Sequence, residues 1–297
     1  MKIATLTLKA IEEQIRSDQG GKFRAYLREL MPEAEDAYRG QEDGRRGHLG
    51  ASIIGRECPR EIWYSFRWAL IPNHSARLLR LFNRGHLEEP RMLALLKCIG
   101  AQVWSKTEDG KQFRAEFLPG HYGGSLDGII KGIPEIPDVA VLGEFKTHNA
   151  KSFAKLVTDG VHFTKWEHVV QTNLYMGAYG LTYTLYLATN KNDDDLYAEI
   201  LPFDKTIYLR YFQRGVEIIK ASSPPPRIHK NSSWYKCKMC DFHSICHGNN
   251  PVSVSCRMCK FSSPQEGGGW ACSKHGISLS DEAQKAACQH YAQIDNK

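Results

Sequence analysis

Asp127, the tripeptide Glu144-Phe145-Lys146 and the pair Gln171 and Tyr175 are the polar residues of this chain whose types and spacing suit metal-assisted hydrolysis. The segment HYGGSLDGII (121–130) sets apolar residues around one acid, and VAVLGEFKT (139–147) is an apolar run ending in Glu-Phe-Lys. Both are expected to be buried strands. Side chains alternate along a strand, so Glu144 and Lys146 share one face while Phe145 points into the core. Asp127, on the neighbouring strand, supplies a second carboxylate. Hard divalent cations such as Mg2+ take carboxylate oxygens and keep positions open for water and phosphate. Acids and lysines at strand ends are also ordinary solvated edges, so these three residues by themselves leave both readings open.

The next segment, 163–180, has a helical pattern, with Val169, Val170, Leu174 and Ala178 as its apolar side. Gln171 and Tyr175, four apart, lie on one face of that helix. This order of an acid, a Glu-x-Lys strand and a Gln-x-x-x-Tyr helix resembles the PD-(D/E)xK nuclease superfamily, in particular its RecB-like branch and the exonucleases carried by phages. The first motif is Leu126-Asp127 where the family has Pro-Asp, a departure that keeps the acid. The resemblance covers residues 50–250 approximately and rests on the motifs as a set.

That resemblance implies an α/β fold with a restriction-endonuclease-like core, a mixed central sheet flanked by helices, and a cysteine-rich metal-binding C-terminal region. It implies Asp127, Glu144 and the backbone carbonyl of Phe145 as ligands of Mg2+ or Mn2+. Lys146 would position the attacking water and stabilise charge, or act as base if the site depresses its pKa. Gln171 and Tyr175 would orient the lysine or bind a backbone phosphate. Within RGHLEEPRML, Gly85 followed by Glu89 resembles the first helix of phage-type exonucleases, whose glutamate approaches the metal from the side. Iron–sulfur relatives place a histidine there, which makes His86 a rival; Glu88 is expected to be exposed.

Nine cysteines, and an opening segment MKIATLTLKAIEEQIRSD that is charged and not an apolar leader, are expected of a cytoplasmic chain whose thiols stay reduced and bind metal. Seven of the nine lie at or beyond Cys237. Cys237, Cys240 and Cys246 follow C-x2-C-x5-C, one thiolate short of a closed four-ligand site. Cys58, in ECPREIWYSF, resembles the early cysteine of iron–sulfur RecB-like nucleases, which implies a [4Fe-4S] cluster on Cys58, Cys237, Cys240 and Cys246. The alternatives are a buried Cys58 and a zinc site completed by His243 or His247. Cys256, Cys259, Cys272 and Cys288 have the spacing of a small zinc module around the loop PQEGGG (264–269); His275 and His290 are alternatives for the fourth ligand. A segment with so few large apolar residues needs such a metal to fold. Cys98, in RMLALLKCIG, reads as core.

The elements that must position these groups follow from composition and punctuation. At 297 residues, 42% hydrophobic and 24% charged, the chain is an ordinary globular one with no apolar run of about eighteen residues, so nothing is expected to span a membrane. Net charge is +6, compatible with a polyanionic partner without requiring one. Residues 7–47 read as charged helices without a site. Ser52 is a candidate cap for the Cys58 helix, and Arg56 and Arg60 are candidate phosphate contacts or solvated surface. A helix over 76–99 is expected to kink or restart at Pro90. Strands over 182–191 and 195–203, joined by KNDDD, extend the sheet, and a helix over 204–220 ends before the prolines of ASSPPP (221–226). The expected organisation is a helical segment over 1–50, a nuclease core over 51–223, a cysteine staple over 224–250 closing on Cys58, and a zinc module over 251–297. No phosphate-cradling Gly-x-x-x-x-Gly-Lys loop is present.

The expected activity is metal-dependent DNA hydrolysis by an exonuclease acting at DNA ends, leaving 5′-phosphate and 3′-hydroxyl products. A single-strand-annealing or other recombination protein is the expected partner, and a host cytoplasm the setting if the source is a phage. The competing readings are a restriction-type endonuclease and a non-catalytic DNA-binding scaffold on the same fold.

Overall fold

In the computed structural model, which describes residues 1–34 and 44–295, the elements follow in chain order as α1 (Thr5–Asp18), α2 (Gly21–Leu30), β1 (Leu49–Gly50), α3 (Pro59–Phe66), α4 (Ala76–Cys98), β2 (Gln102–Trp104), β3 (Arg114–Leu118), β4 (Tyr122–Ser125), β5 (Gly128–Lys131), β6 (Val141–His148), α5 (Ala150–Thr164), α6 (Trp166–Tyr179), β7 (Tyr183–Asn190), β8 (Leu196–Pro202), α7 (Lys205–Lys220), α8 (Tyr235–Lys238), α9 (His243–Cys246), β9 (Ser262–Pro264), β10 (Trp270–Cys272), β11 (Ile277–Leu279) and α10 (Asp281–Lys285). They form two compact units that interleave along the chain. One comprises Met1–Gln41, His74–Ala115 and Ser125–Tyr208; the other comprises Glu42–Asn73, Glu116–Gly124 and Leu209–Lys297.

The first unit is a mixed five-stranded sheet in the order β2-β5-β6-β7-β8, antiparallel except for the parallel pair β6 and β7. Parallel neighbours need a crossover, and α5 and α6 supply it. Alternation along β6 sends Val141 and Phe145 into one of two cores, one on each face of the sheet. Val141 and Phe145 join Ile130, Leu185 and Ile200 against Ile11 of α1 and Met92, Leu93 and Leu96 of α4. On the opposite face, Tyr186, Ala188 and Tyr197 pack with Phe153 and Leu156 of α5 and Val169 of α6. The α/β architecture, a mixed sheet with helices on both faces, is the one expected.

Several local expectations are corrected. Residues 121–130 are not one strand: β4 and β5 belong to different sheets, and Asp127 lies in the break just before β5. α4 does not restart at Pro90, which is buried inside one continuous helix capped by Ser75, whose Oγ accepts from Leu78 N at 3.3 Å. Burial of Met92, Leu93 and Leu96 outweighs the roughly 3 kcal/mol that an internal proline costs. Glu88 is buried, not exposed, and pairs with Arg91 at 3.3 Å. Ala178 is exposed, while Gln171 and Tyr175 are buried with Val169, Val170 and Leu174, so the buried face of α6 is wider than its apolar stripe. In α5, Gly160 takes φ +77°, a conformation that glycine adopts without strain, and Glu199 Oε2 accepts the N–H of Val161 at 2.8 Å beside it. β7 and β8 pair antiparallel as expected.

The second unit holds the small sheet β1-β4-β3 and the meander β9-β10-β11. α3 begins at Pro59 with Cys58 as N-cap residue and no side-chain cap; Ser52 does not serve, because proline's fixed φ starts the helix without needing a donor satisfied. Arg60 is buried, its Nε donating to Pro225 O at 2.6 Å, and Arg56 pairs with Glu61, so neither has the free guanidinium expected of a phosphate contact. Two more buried arginines organise this unit. Arg67 donates to the carbonyls of Arg257, Ser262 and Ala221, while Arg257 donates to Gln284, Phe66 and Gly47. The Arg257 guanidinium lies 3.7 Å from the Trp68 ring centroid and 4.8 Å from that of Trp270. The Gly-rich loop meets the β3–β4 turn where Gly120 and Gly268 stand back to back, both at positive φ; a Cβ on Gly120 would come within 2.6 Å of Gly268 Cα.

Candidate active site

The site is built where β5 meets the central strand β6. Gly128 pairs with Gly143, so Asp127, one residue before the ladder, stands level with Glu144. Asp127 Oδ2 accepts the backbone N–H of Phe145 at 2.7 Å, which fixes the acid across the gap to β6. Glu144 is completely buried. Lys146 is half-buried on the same strand face; its Nζ ion-pairs with Glu144 Oε1 and donates to Phe145 O at 3.2 Å. Apart from that ammonium, the Glu144 carboxylate oxygens have no hydrogen-bond partner among the described residues.

Burial pushes the Glu144 carboxyl above the ordinary carboxylate range, with Lys146 opposing the shift and Asp127 adding to it. For Lys146, burial acts to lower the pKa, but the charges of Glu144, Asp127 and Glu89 prevail and hold it well above the ordinary lysine value. Before any cation binds, Lys146 is therefore an ammonium and not a base. The same Coulombic influence puts Glu89 within reach of the group. His86, Glu89 and Asp127 line one cavity of about 120 Å³ together with Lys106, Gln112 and Leu93. Leu30, Glu33 and Ala34 also line it, so the amino-terminal helices, expected to carry no site, contribute to its wall.

Gln171 and Tyr175 lie on the buried face of α6, the helix that packs on β6. Sequence reasoning missed a polar network beside them. His148 Nε2 and His168 Nδ1 meet the Tyr186 hydroxyl at 3.0 and 2.8 Å, Ser152 Oγ lies 3.3 Å from His148 Nδ1, and Lys165 Nζ donates to Ser152 Oγ at 2.6 Å. Tyr186 is the cross-strand partner of Glu144. The two histidines were legible: His148 follows Lys146 on the same alternating face, and His168 precedes Gln171 by one helical step. Burial lowers the pKa of His148 to about 4, with Lys165 and Lys146 adding, and that of His168 to about 2, with Lys146 and His148 adding.

The donor set fits a hard divalent cation. Lys146 Nζ already makes, with Glu144 Oε1 and Phe145 O, two of the contacts that a cation held there would make, and the buried carboxylate lacks any other partner. Among the described residues no group of three or more His, Cys, Asp or Glu side chains is assembled as a formed metal site.

All nine cysteines are free thiols, and all but Cys98 lie in the second unit. Burial raises the thiol pKa of Cys58, of Cys237, where Cys246 and Cys58 add to it, and of Cys240, pushed up to about 12 with Glu61 and Cys58 adding. Cys256, Cys259, Cys272 and Cys288 line a second cavity, of about 220 Å³, with His275 and His290. Cys288 Sγ is 3.5 Å from His275 Nε2, which keeps both as candidates for a fourth ligand. Thiolates as a class suit zinc or an iron–sulfur cluster, but among the described residues these do not stand as a formed metal site. Cys98 is core, as expected, with Sγ 3.0 Å from Leu95 O.

No protein-family model matches the chain, and no curated protein matches it. Among solved structures, the chain is similar to an alkaline exonuclease, LHK-Exo, from Laribacter hongkongensis, at 15% identity and a TM-score of 0.43, over 59% of this chain and 87% of that one. The structure of LHK-Exo in complex with dAMP gives 15% identity and 0.44 over the same shares. A structure of SSO0001 gives 16% and 0.40 over 77% of this chain and 96% of the other. No helix among the described residues is long and apolar enough to cross a membrane.

Proposed function

We propose that the chain is a Mg2+- or Mn2+-dependent deoxyribonuclease, an exonuclease acting at DNA ends and leaving 5′-phosphate and 3′-hydroxyl products. One observation carries the reading: an ammonium lies between the buried Glu144 carboxylate and the Phe145 carbonyl, with Asp127 pinned beside them on the Phe145 amide. Asp127, Glu144 and the Phe145 carbonyl would hold the cation, with Glu89 or His86 reaching it from the α4 side of the cavity. When bound, the cation supplies Lewis-acid polarisation of the phosphate and a water of lowered pKa. With the cation held by those residues, the Lys146 ammonium would orient the attacking water and balance charge developing on the phosphate. Gln171 and Tyr175 steady Lys146 or a backbone phosphate, and Tyr186 holds the neighbouring strand in register through the two histidines.

Cys58, Cys237, Cys240 and Cys246 form a [4Fe-4S] staple, with zinc as the alternative metal, and Cys256, Cys259, Cys272 and Cys288 or His275 bind Zn2+. A phage-type recombination pathway, with a strand-annealing protein as partner, belongs to the same reading.

The deciding experiment incubates linear and closed circular DNA with the protein and Mg2+ or Mn2+, beside a chelator control and the Lys146→Ala protein. Loss of linear DNA alone, dependent on metal and on Lys146, is the expected result. Nicking of circles transfers the assignment to an endonuclease, and binding without any degradation transfers it to a scaffold.

A further inference from the structure

The segment 227–239, RIHKNSSWYKCKM, in the second unit, carries four Lys or Arg and no Asp or Glu. Its local fold follows from one buried thiol. α8 turns Cys237 inward, so the residues around it face out: Tyr235 is 64% exposed and Met239 81%. Arg227, His229, Lys230, Lys236 and Lys238 are exposed as well. The rings are organised. His229 stacks on Trp234 with centroids 5.2 Å apart and planes at 20°, and Tyr235 follows at 5.1 Å from Trp234. Lys236 Nζ lies 5.8 Å from the centroids of both Trp234 and Tyr235 and is ion-paired with Glu57. Arg227 anchors the strip, its Nε donating to Cys246 O at 2.9 Å.

An exposed tyrosine ring beside a half-buried tryptophan, interleaved with cations, is the complement of a strand whose bases are unpaired and whose phosphates run alongside. A duplex hides its base faces, so its phosphates would use the lysines and leave the rings idle. We propose that this strip binds single-stranded nucleic acid, with bases stacked on Trp234 and Tyr235 and phosphates on Lys230, Lys236 and Lys238. Lys236 exchanges Glu57 for a phosphate on binding, which makes Glu57 an internal competitor of the ligand. The site stands independently of the hydrolysis assigned to the other unit.

The test is fluorescence anisotropy of a labelled oligothymidylate with the full-length protein, without added divalent cation, so that hydrolysis does not intervene. Replacing Trp234 and Tyr235 together by Ala is expected to weaken binding about tenfold or more, since each stacked base contributes on that order. Glu57→Gln, which keeps shape and removes the competing charge, is expected to tighten it. Lys236→Ala with Lys238→Ala is expected to flatten the log–log salt dependence by roughly 1.4, about 0.7 per phosphate lost. Tyr235→Ala by itself, at an exposed position, and the isosteric change at Glu57 supply two variants that leave the packing around Trp234 intact. Unchanged affinity in the ring variant, weaker or unchanged binding in Glu57→Gln, or binding to phosphatidylserine vesicles in preference to the oligonucleotide would each overturn the proposal.

Discussion

Asp127 Oδ2 accepts the backbone N–H of Phe145 at 2.7 Å, so the acid is held by the strand whose neighbouring residues it is proposed to serve with. A side chain locked in this way needs little reorganisation to accept a cation, and its two functions can be separated by substitution.

Asp127→Asn keeps an oxygen able to accept from Phe145 but loses the negative charge. It is expected to leave the melting temperature close to wild type while lowering metal-dependent DNA hydrolysis by about 10²-fold or more. Asp127→Ala removes the hydrogen bond as well, at a further cost of about 1 kcal/mol in stability. Calorimetric titration with Mn2+ and denaturant melts of the two proteins check the separation; equal Mn2+ affinity in Asp127→Asn and wild type would contradict it.

Lys146→Ala strands the buried Glu144 carboxylate without its counter-charge. Removing one partner of a buried pair typically costs about 3–5 kcal/mol. The variant is expected to melt far below wild type in the absence of divalent cation and to recover more than wild type does when Mn2+ is added, because the cation replaces the ammonium. Glu144→Gln combined with Lys146→Ala should lose less stability than Lys146→Ala by itself, and should gain none from Mn2+. Thermal melts with and without Mn2+ read both effects.

The buried histidines predict an acid-labile site. Burial, reinforced by lysine charges, holds the pKa of His148 at about 4 and that of His168 at about 2, against about 6.5 in an unfolded chain. Below about pH 6.5 the unfolded chain takes up protons that the folded one refuses, so stability falls as pH drops toward 4 and is indifferent to these groups above about 7. Each histidine contributes at most about 1.4 kcal/mol per pH unit in that window. Denaturant melts between pH 7 and 4.5 should show the decline, and His168→Gln should shallow it; an unaltered slope in that variant would assign the acid lability elsewhere.

The cysteine groups are expected to lose their metals separately. Anaerobically purified protein should be brown, absorb near about 400 nm and contain roughly four irons and one zinc per chain. Cys58→Ser should remove the iron and colour and spare the zinc, whereas Cys256→Ser should do the reverse. Elemental analysis of the three proteins decides, and zinc in both places would convert the staple to the alternative metal.

What the sequence determined by itself was set by short-range periodicity. Alternation in Glu144-Phe145-Lys146 was enough to send Phe145 into one core and the charged pair to the other face, and the four-residue step from Gln171 to Tyr175 was enough to align them on α6. Those relations depend only on the geometry of one strand and one helix. Other features depend on which segments meet. Residues 121–130 read as one strand but divide at Asp127 because their halves pair with different sheets. Glu88 read as surface but is buried beside Arg91. Register across β6 and β7 alone placed Tyr186 opposite Glu144, and so brought His148 and His168 to one hydroxyl. Local spacing carries no information about such pairings, because the free energy that selects them comes from burying surfaces far apart in sequence, and tertiary structure alone decided them.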